Sequence, residues 1–252
     1  MADRQRELLD FPAPRRWRAY WIWAPDDDGR TPNSFWLFRR EFDLDAEPDG
    51  AALFIAADTR YQLFVNGEFA GRGAPQSQPW FQYYDRRDLS GLLRAGRNCI
   101  GVIVNWVGNI PDTRGGLLAE LVGGGGETLL ATGGDWLVTR CPAWAENTFC
   151  VGGNQTTPYQ EIFDARLMPD AWSETGFDDG QWRAARVLGG RISQRPPAVS
   201  PWTRLVPRDI PFMTADPVLP ARIEAVEECL DVASRPRRPD VSICLSAVGK
   251  PV

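Results

Sequence analysis

The sequence predicts an all-β chain: an antiparallel, jelly-roll-like β-sandwich with little helix, spanning residues 17–207. Three observations predict it. Between turns, apolar and polar residues alternate with period two, the mark of half-buried strands. Glycine and proline, 24 and 21 of 252 residues, make up about 18% of the chain against an average near 12%, and their spread punctuates many short segments. No segment before residue 220 carries a sustained helical period, while turn signals recur every 8–12 residues or so.

The elements follow in order. From Trp36 the even positions Trp36, Phe38, Phe42 and Leu44 form an apolar face interrupted by Arg40, and Arg39, Glu41 and Asp43 are expected to face water. Leu53, Ile55 and Ala57 make a second strand. Tyr61, Leu63 and Val65 then run into Asn66-Gly67, the strongest short hairpin signal, because both central residues of a type I′ turn need positive φ. Asp85 is expected to cap the turn before Leu89, with Leu92 and Leu93 plugging the sandwich edge. The run Cys99 to Trp106 is apolar almost throughout, as a central strand requires. Residues 117–122 and 127–132 read as a hairpin around Gly123 to Gly126, and further strands fit 136–140, 159–167 and 182–188. The domains are thus an N-terminal extension (1–16), the sandwich (17–207) and a proline-broken linker or start of a following domain (208–252).

Composition excludes several chemistries. There is no histidine and the only lysine is Lys250, so imidazole bases, His-containing zinc sites, Schiff-base lysines and Gly-Lys-Ser/Thr phosphate loops are all ruled out. With 28 basic against 33 acidic residues and no basic cluster, nucleic acid is not an expected partner. No apolar run reaches the roughly 18 residues of a membrane span, and the charged, proline-broken N-terminus has no signal-like core. Five cysteines without a C-x-x-C pair are expected to be free thiols, and the expected location is cytoplasmic. Asp26-Asp27-Asp28 lacks the ligand spacing of a calcium loop, so neither a metal site nor a cofactor is expected.

Eleven tryptophans raise carbohydrate recognition, since aromatic faces stack on pyranose C–H surfaces. Trp17, Trp21, Trp36, Trp136 and Trp182 lie in strand patterns and are expected to be core, whereas Trp80, Trp106 and Trp144 lie in or beside loops. Asp178-Asp179 reads as turn capping. Sandwich folds place ligand sites in end loops or on one sheet face. The candidate sugar-binding residues are Asp58, Arg60, Trp80, Tyr84, Trp106, Asn109, Asp112 and Arg114; for each, fold support is the alternative role.

The order of motifs carries a family resemblance. Phe38-Arg-Arg-Glu-Phe42 precedes Ala56-Ala-Asp-Thr-Arg-Tyr-Gln-Leu-Phe-Val-Asn-Gly67, Gly71-Arg-Gly73, Tyr83-Tyr-Asp85, Leu92-Leu-Arg-Ala-Gly-Arg-Asn98 and Gly115-Gly-Leu-Leu-Ala-Glu120. This first series is similar to galactose-binding-like domains generally. With Glu161-Ile-Phe-Asp-Ala-Arg166, Phe177-Asp-Asp-Gly-Gln-Trp182 and Leu205-Val-Pro-Arg-Asp-Ile-Pro211, the chain resembles the N-terminal non-catalytic region of bacterial α-L-rhamnosidases over residues 17–212. The resemblance implies an accessory or carbohydrate-recognition domain. The family's catalytic carboxylates sit on a downstream (α/α)₆ barrel that has no counterpart here, so no catalytic residue carries over. The chain alone is expected not to hydrolyse an aryl α-L-rhamnoside, and its unpatterned tail points to a fragment. The partners implied are rhamnose-containing or related glycans, and a catalytic domain or another subunit. Two alternatives stand beside this: a purely structural brace, and a self-contained glycanase using carboxylates such as Glu161 and Asp164.

Overall fold

Thirteen strands and a single 3₁₀ turn make up the regular structure of the computed structural model, which describes residues 15–27, 31–75, 77–78, 81–108, 113–148, 159–189, 201–202 and 204–214. The strands are β1 (Ile22–Trp23), β2 (Ser34–Leu44), β3 (Ala51–Asp58), β4 (Arg60–Val65), β5 (Glu68–Gly73), β6 (Gln82–Asp88), β7 (Gly96–Trp106), β8 (Gly116–Gly123), β9 (Thr128–Ala131), β10 (Leu137–Arg140), β11 (Arg183–Ala184), β12 (Arg186–Val187) and β13 (Leu205–Pro207). They form two sheets. One runs β12-β1-β8-β3-β6-β13 with β9 beside β8, and the other runs β11-β10-β2-β7-β4-β5. Every pairing is antiparallel except β13, which adds to β6 in parallel. The chain divides into two compact units, residues 1–210 and 211–252, and all thirteen strands lie in the first. No helix among the described residues is long and apolar enough to cross a membrane.

Period-two patterning becomes a core between the sheets. Trp36 and Phe38 from β2, Tyr61, Leu63 and Val65 from β4, and Ile100, Val102 and Val104 from β7 meet Leu53, Ile55 and Ala57 from β3 and Leu117 and Leu121 from β8. Trp17, Trp21, Trp23, Trp136 and Trp202 complete the same cluster. Asn66 and Gly67 turn the β4–β5 hairpin with φ of 51° and 86°. A Cβ on Gly67 would lie 2.8 Å from Cγ of Glu174. Gly67→Ala is therefore expected to cost about 1–2 kcal/mol from the left-handed backbone, with Glu174 displaced as well. Equilibrium denaturation measures it, and an unchanged midpoint would mean the turn relaxes.

Buried polar groups pin what the strands leave loose. The carboxylate of Glu120, on β8, accepts the backbone N–H of Arg18 at 2.5 Å and of Ala19 at 3.1 Å and pairs with Arg15 at 2.8 Å, which ties the N-terminal segment to the sheet. Between the sheets, the Tyr61 hydroxyl donates to Asp85 at 2.5 Å, with Arg208 and Arg87 at 3.4 and 3.9 Å.

Several elements differ from the sequence reading. Asp85 is fully buried in that inter-sheet network, and the turn before Leu89 is capped by Asp88, whose Oδ1 accepts the N–H of Ser90 at 2.9 Å. Residues 159–167 form no strand. Asp164 accepts the N–H of Arg166 and starts the 3₁₀ turn Ala165–Leu167, a local bond that competes with a ladder. The largest difference is on β2. Arg39 is fully buried, because the outer face of this sheet carries a second core of Leu37, Ile103, Cys141, Ala143 and Trp172, with Phe64, Phe177 and Trp182 packed on it. Arg39 holds the carbonyls of Trp172 (3.0 Å) and Glu174 (2.8 Å) and the carboxylates of Glu41 and Asp179. Asp178 caps the turn, accepting from Gly180, while Asp179 pairs with Arg39. Cys99 and Cys141 are buried free thiols.

Candidate functional site

One end of the sandwich gathers the C-terminal end of β3, the start of β4, the end of β7 and the starts of β2, β6 and β8. Antiparallel pairing forces this, because strand ends that face each other in the ladders share an edge. Asp58 closes β3 at this end and sits opposite Gly116 on β8. Its carboxyl is 7% exposed, and burial pushes its pKa up to about 6 against hydrogen bonds that favour the ionised form. Trp202 Nε1 donates to Oδ2 at 2.9 Å, and the Thr59 hydroxyl donates to Oδ1 at 3.1 Å. That hydroxyl accepts in turn from the N–H of Val107 at 3.1 Å, and Gln82 donates to the carbonyl of Ala57 at 2.9 Å.

Around this carboxyl the surroundings are aromatic and polar. Trp202 stacks on Trp21 with ring centroids 4.0 Å apart, and the half-buried Arg114 guanidinium lies 5.6 Å from the Trp202 ring. Burial, with Arg186 nearby, lowers the Arg114 pKa. Asn33, Asn105 and Thr148 form a buried amide and hydroxyl chain where β2 and β7 meet, with Asn33 donating to Thr148 at 2.8 Å. Trp21 and Trp202 are fully buried, so they back the site, and the groups that face outward at this end are the exposed Arg60, the half-buried Arg114 and the edge of Asp58. No group of three His, Cys, Asp or Glu placed to hold a metal occurs among the described residues.

The residues singled out in the sequence fall into three sets. Asp58, Arg60 and Arg114 share this end, with Arg60 exposed at the first position of β4. Trp106 lies beneath it but is 3% exposed. As an even position of β7 it follows Ile100, Val102 and Val104 into the core, so its ring is no open stacking platform. Tyr84 is elsewhere, two residues into β6 and edge-on to Trp17 at 5.3 Å, where burial raises its pKa. Trp80, Asn109 and Asp112 lie outside the described residues. Trp144 is half-buried, stacked on Phe35 at 4.8 Å with its N–H on Glu161 at 2.8 Å. The residue that sequence reasoning missed is Trp202, which stands in no period-two pattern just before the proline-broken stretch that begins at Pro207.

A cleft of about 370 Å³ lies elsewhere on the molecule, lined chiefly by Arg39, Arg40, Glu41, Arg97, Asp135 and Asp179. Its charges are already matched, Arg39 with Glu41 and Asp179, Arg40 with Asp135 and Arg97 with Glu41, which makes it a solvated ion-pair lattice.

Residues 46–204 match the profile of the α-L-rhamnosidase N-terminal domain family. An α-L-rhamnosidase of Formosa agariphila is 25% identical over an alignment of 199 residues that covers 69% of this chain and 20% of that protein. One of Streptomyces avermitilis is 25% identical over 203 residues, 77% of this chain and 16% of its own length. Among solved structures, the GH78 family rhamnosidase of Bacillus sp. GL1 superposes with a TM-score of 0.68 at 41% identity, covering 79% of this chain and 20% of that one. The chain spans about a fifth of the length of the relatives it matches.

Proposed function

We propose, from the premise that this chain belongs to the α-L-rhamnosidase N-terminal domain family, that it is an accessory domain whose Asp58 end recognises a terminal deoxyhexose such as L-rhamnose. The observation that carries the reading is Asp58 itself. An asparagine would avoid the cost of burying a charge and give up only one of the two acceptors that Trp202 and Thr59 use, and a buried aspartate there is accounted for by a ligand that needs the charge. A carboxylate accepts two adjacent sugar hydroxyls, and Arg60 and Arg114 supply donors at the same end. Titration with L-rhamnose, followed by tryptophan fluorescence, is expected to show saturable binding in the millimolar range, as for shallow single-sugar sites. No response at roughly a hundred millimolar sugar would remove the reading.

A second reading has its own observation. Ile162, Phe163 and Leu167, close together in sequence, are each about half exposed, with Phe163 against Trp144, and exposed apolar side chains of this kind suit a face braced against a catalytic domain or another subunit. Concentration-dependent association of the isolated chain supports bracing, and the two roles are compatible. A self-contained glycanase has less support. A general acid needs a raised pKa, yet Asp164 is half-buried and held down at about 2 by Arg166, and Glu161 is exposed.

A further inference from the structure

We infer that Trp202 is the positioning residue of the Asp58 site, so that the site is complete only when Trp202 and residues 204–208 are seated on the sandwich; this rests on the sugar-recognition reading above. Trp202 is fully buried although it stands on a segment whose only strand, β13, has three residues. Its place is prepared. Gly116, the β8 residue paired with Asp58, leaves no room for a side chain: a Cβ there would lie 2.4 Å from the Trp202 ring. The indole fills that space, rests on Trp21 and directs Nε1 at Oδ2 of Asp58. The segment is held from both sides of β13. Gln82 donates its N–H to the carbonyl of Arg204 at 2.8 Å, and Arg208 donates its N–H to the carbonyl of Tyr84 at 2.9 Å. Arg208 also reaches Asp85 at 3.4 Å.

An indole N–H given to one carboxylate oxygen does two things. It fixes the carboxylate plane, and it favours the ionised form, the better acceptor for hydroxyls. The other groups around Asp58 do not duplicate it. Thr59 donates to the other oxygen, Gln82 is spent on the carbonyl of Ala57, Arg60 is exposed on β4, Arg114 lies over the Trp202 ring, and Arg204 turns to the ring of Phe81 at 5.6 Å. A residue 144 positions away in sequence thereby favours the ionised form of the binding carboxylate against its burial.

The test is Trp202→Phe, which keeps an aromatic ring and removes the donor. Carbon-detected NMR of the Asp58 carboxyl is expected to show its titration midpoint rising by about one pH unit. The pH midpoint of L-rhamnose binding is expected to rise by the same amount, with affinity recovered at high pH. A purely structural role would lower the melting temperature at every pH and leave both midpoints in place, and that result overturns the inference. If Trp202→Phe does not fold, the wild-type Trp202 indole proton gives the same answer. Its resonance should move through the Asp58 titration and stop moving in Asp58→Asn, and a resonance that ignores pH in both overturns the proposal. Failure of the wild type to bind L-rhamnose removes the sugar reading alone, because the NMR midpoints stand without sugar.

Discussion

Asp58→Asn is expected to stabilise the protein at about pH 8 by up to about 3 kcal/mol while abolishing sugar recognition. The sign follows from the direction in which burial moves the carboxyl. Its folded-state pKa rises to about 6 from an ordinary value of 3.8, so the folded state holds its proton more tightly than the unfolded chain. Below about pH 4 both states are protonated and the aspartate costs nothing extra. Between about pH 4 and 6 the unfolded chain ionises first and the folded state loses ground. Above about pH 6 the cost is complete, and the rise from 3.8 to about 6 corresponds to about 3 kcal/mol. Other carboxylates titrate alike in both proteins, so the quantity to read is the difference between wild type and Asp58→Asn in denaturant unfolding across this range. A gap that opens between about pH 4 and 6 and then stays level is the expected pattern. A wild type at least as stable as Asp58→Asn at about pH 8 would mean the charge is not kept at a cost, and the functional reading of Asp58 would lose its basis.

Arg39→Ala is expected to destabilise by about 3–5 kcal/mol, among the largest effects of any single substitution in the chain. Truncation leaves the carbonyls of Trp172 and Glu174 without their donor and takes from the part-exposed carboxylates of Glu41 and Asp179 their buried partner, although Glu41 retains Arg97 and the N–H of Gly176. The guanidinium also lies 5.3 Å from the ring of Phe177, so packing is lost along with charge. Arg39→Met should lose nearly as much, because it restores volume and no donor. Hydrogen exchange should localise the loss to residues 172–179 and the Gly67 amide that donates to the carbonyl of Ser173, with the amides of β3 and β8 protected as before. A cost below about 1 kcal/mol in both variants would mean that the covering segment rests on the apolar contacts of Trp172, Phe177 and Trp182 alone.

What the sequence determines by itself is what short-range chemistry encodes. The alternation around Trp36, Leu53 and Tyr61 sets which side chains face the gap between the sheets, and Asn66-Gly67 sets one hairpin and its register. The same local logic placed Asp58, Arg60 and Arg114 near strand ends, and strand pairing then brings them to one end of the sandwich. Local pattern fails where a face has a second cover. Arg39 looks solvent-facing in any window around β2, and only the return of the chain 140 residues later, with Asp179, makes its position an interior one. Trp106 looks like a loop tryptophan because glycine and asparagine follow it, yet the parity of β7 sends it inward. Trp202 is hidden for the same reason as Arg39. Its partners Asp58 and Gly116 end β3 and start β8, and Trp21 precedes β1, but the slot between them exists only once those strands are paired. Burial and the pKa of a carboxylate are properties of what surrounds it in space, so the charge state of Asp58 is decided chiefly by tertiary structure, with the hydroxyl of Thr59 the one contribution from its neighbourhood along the chain.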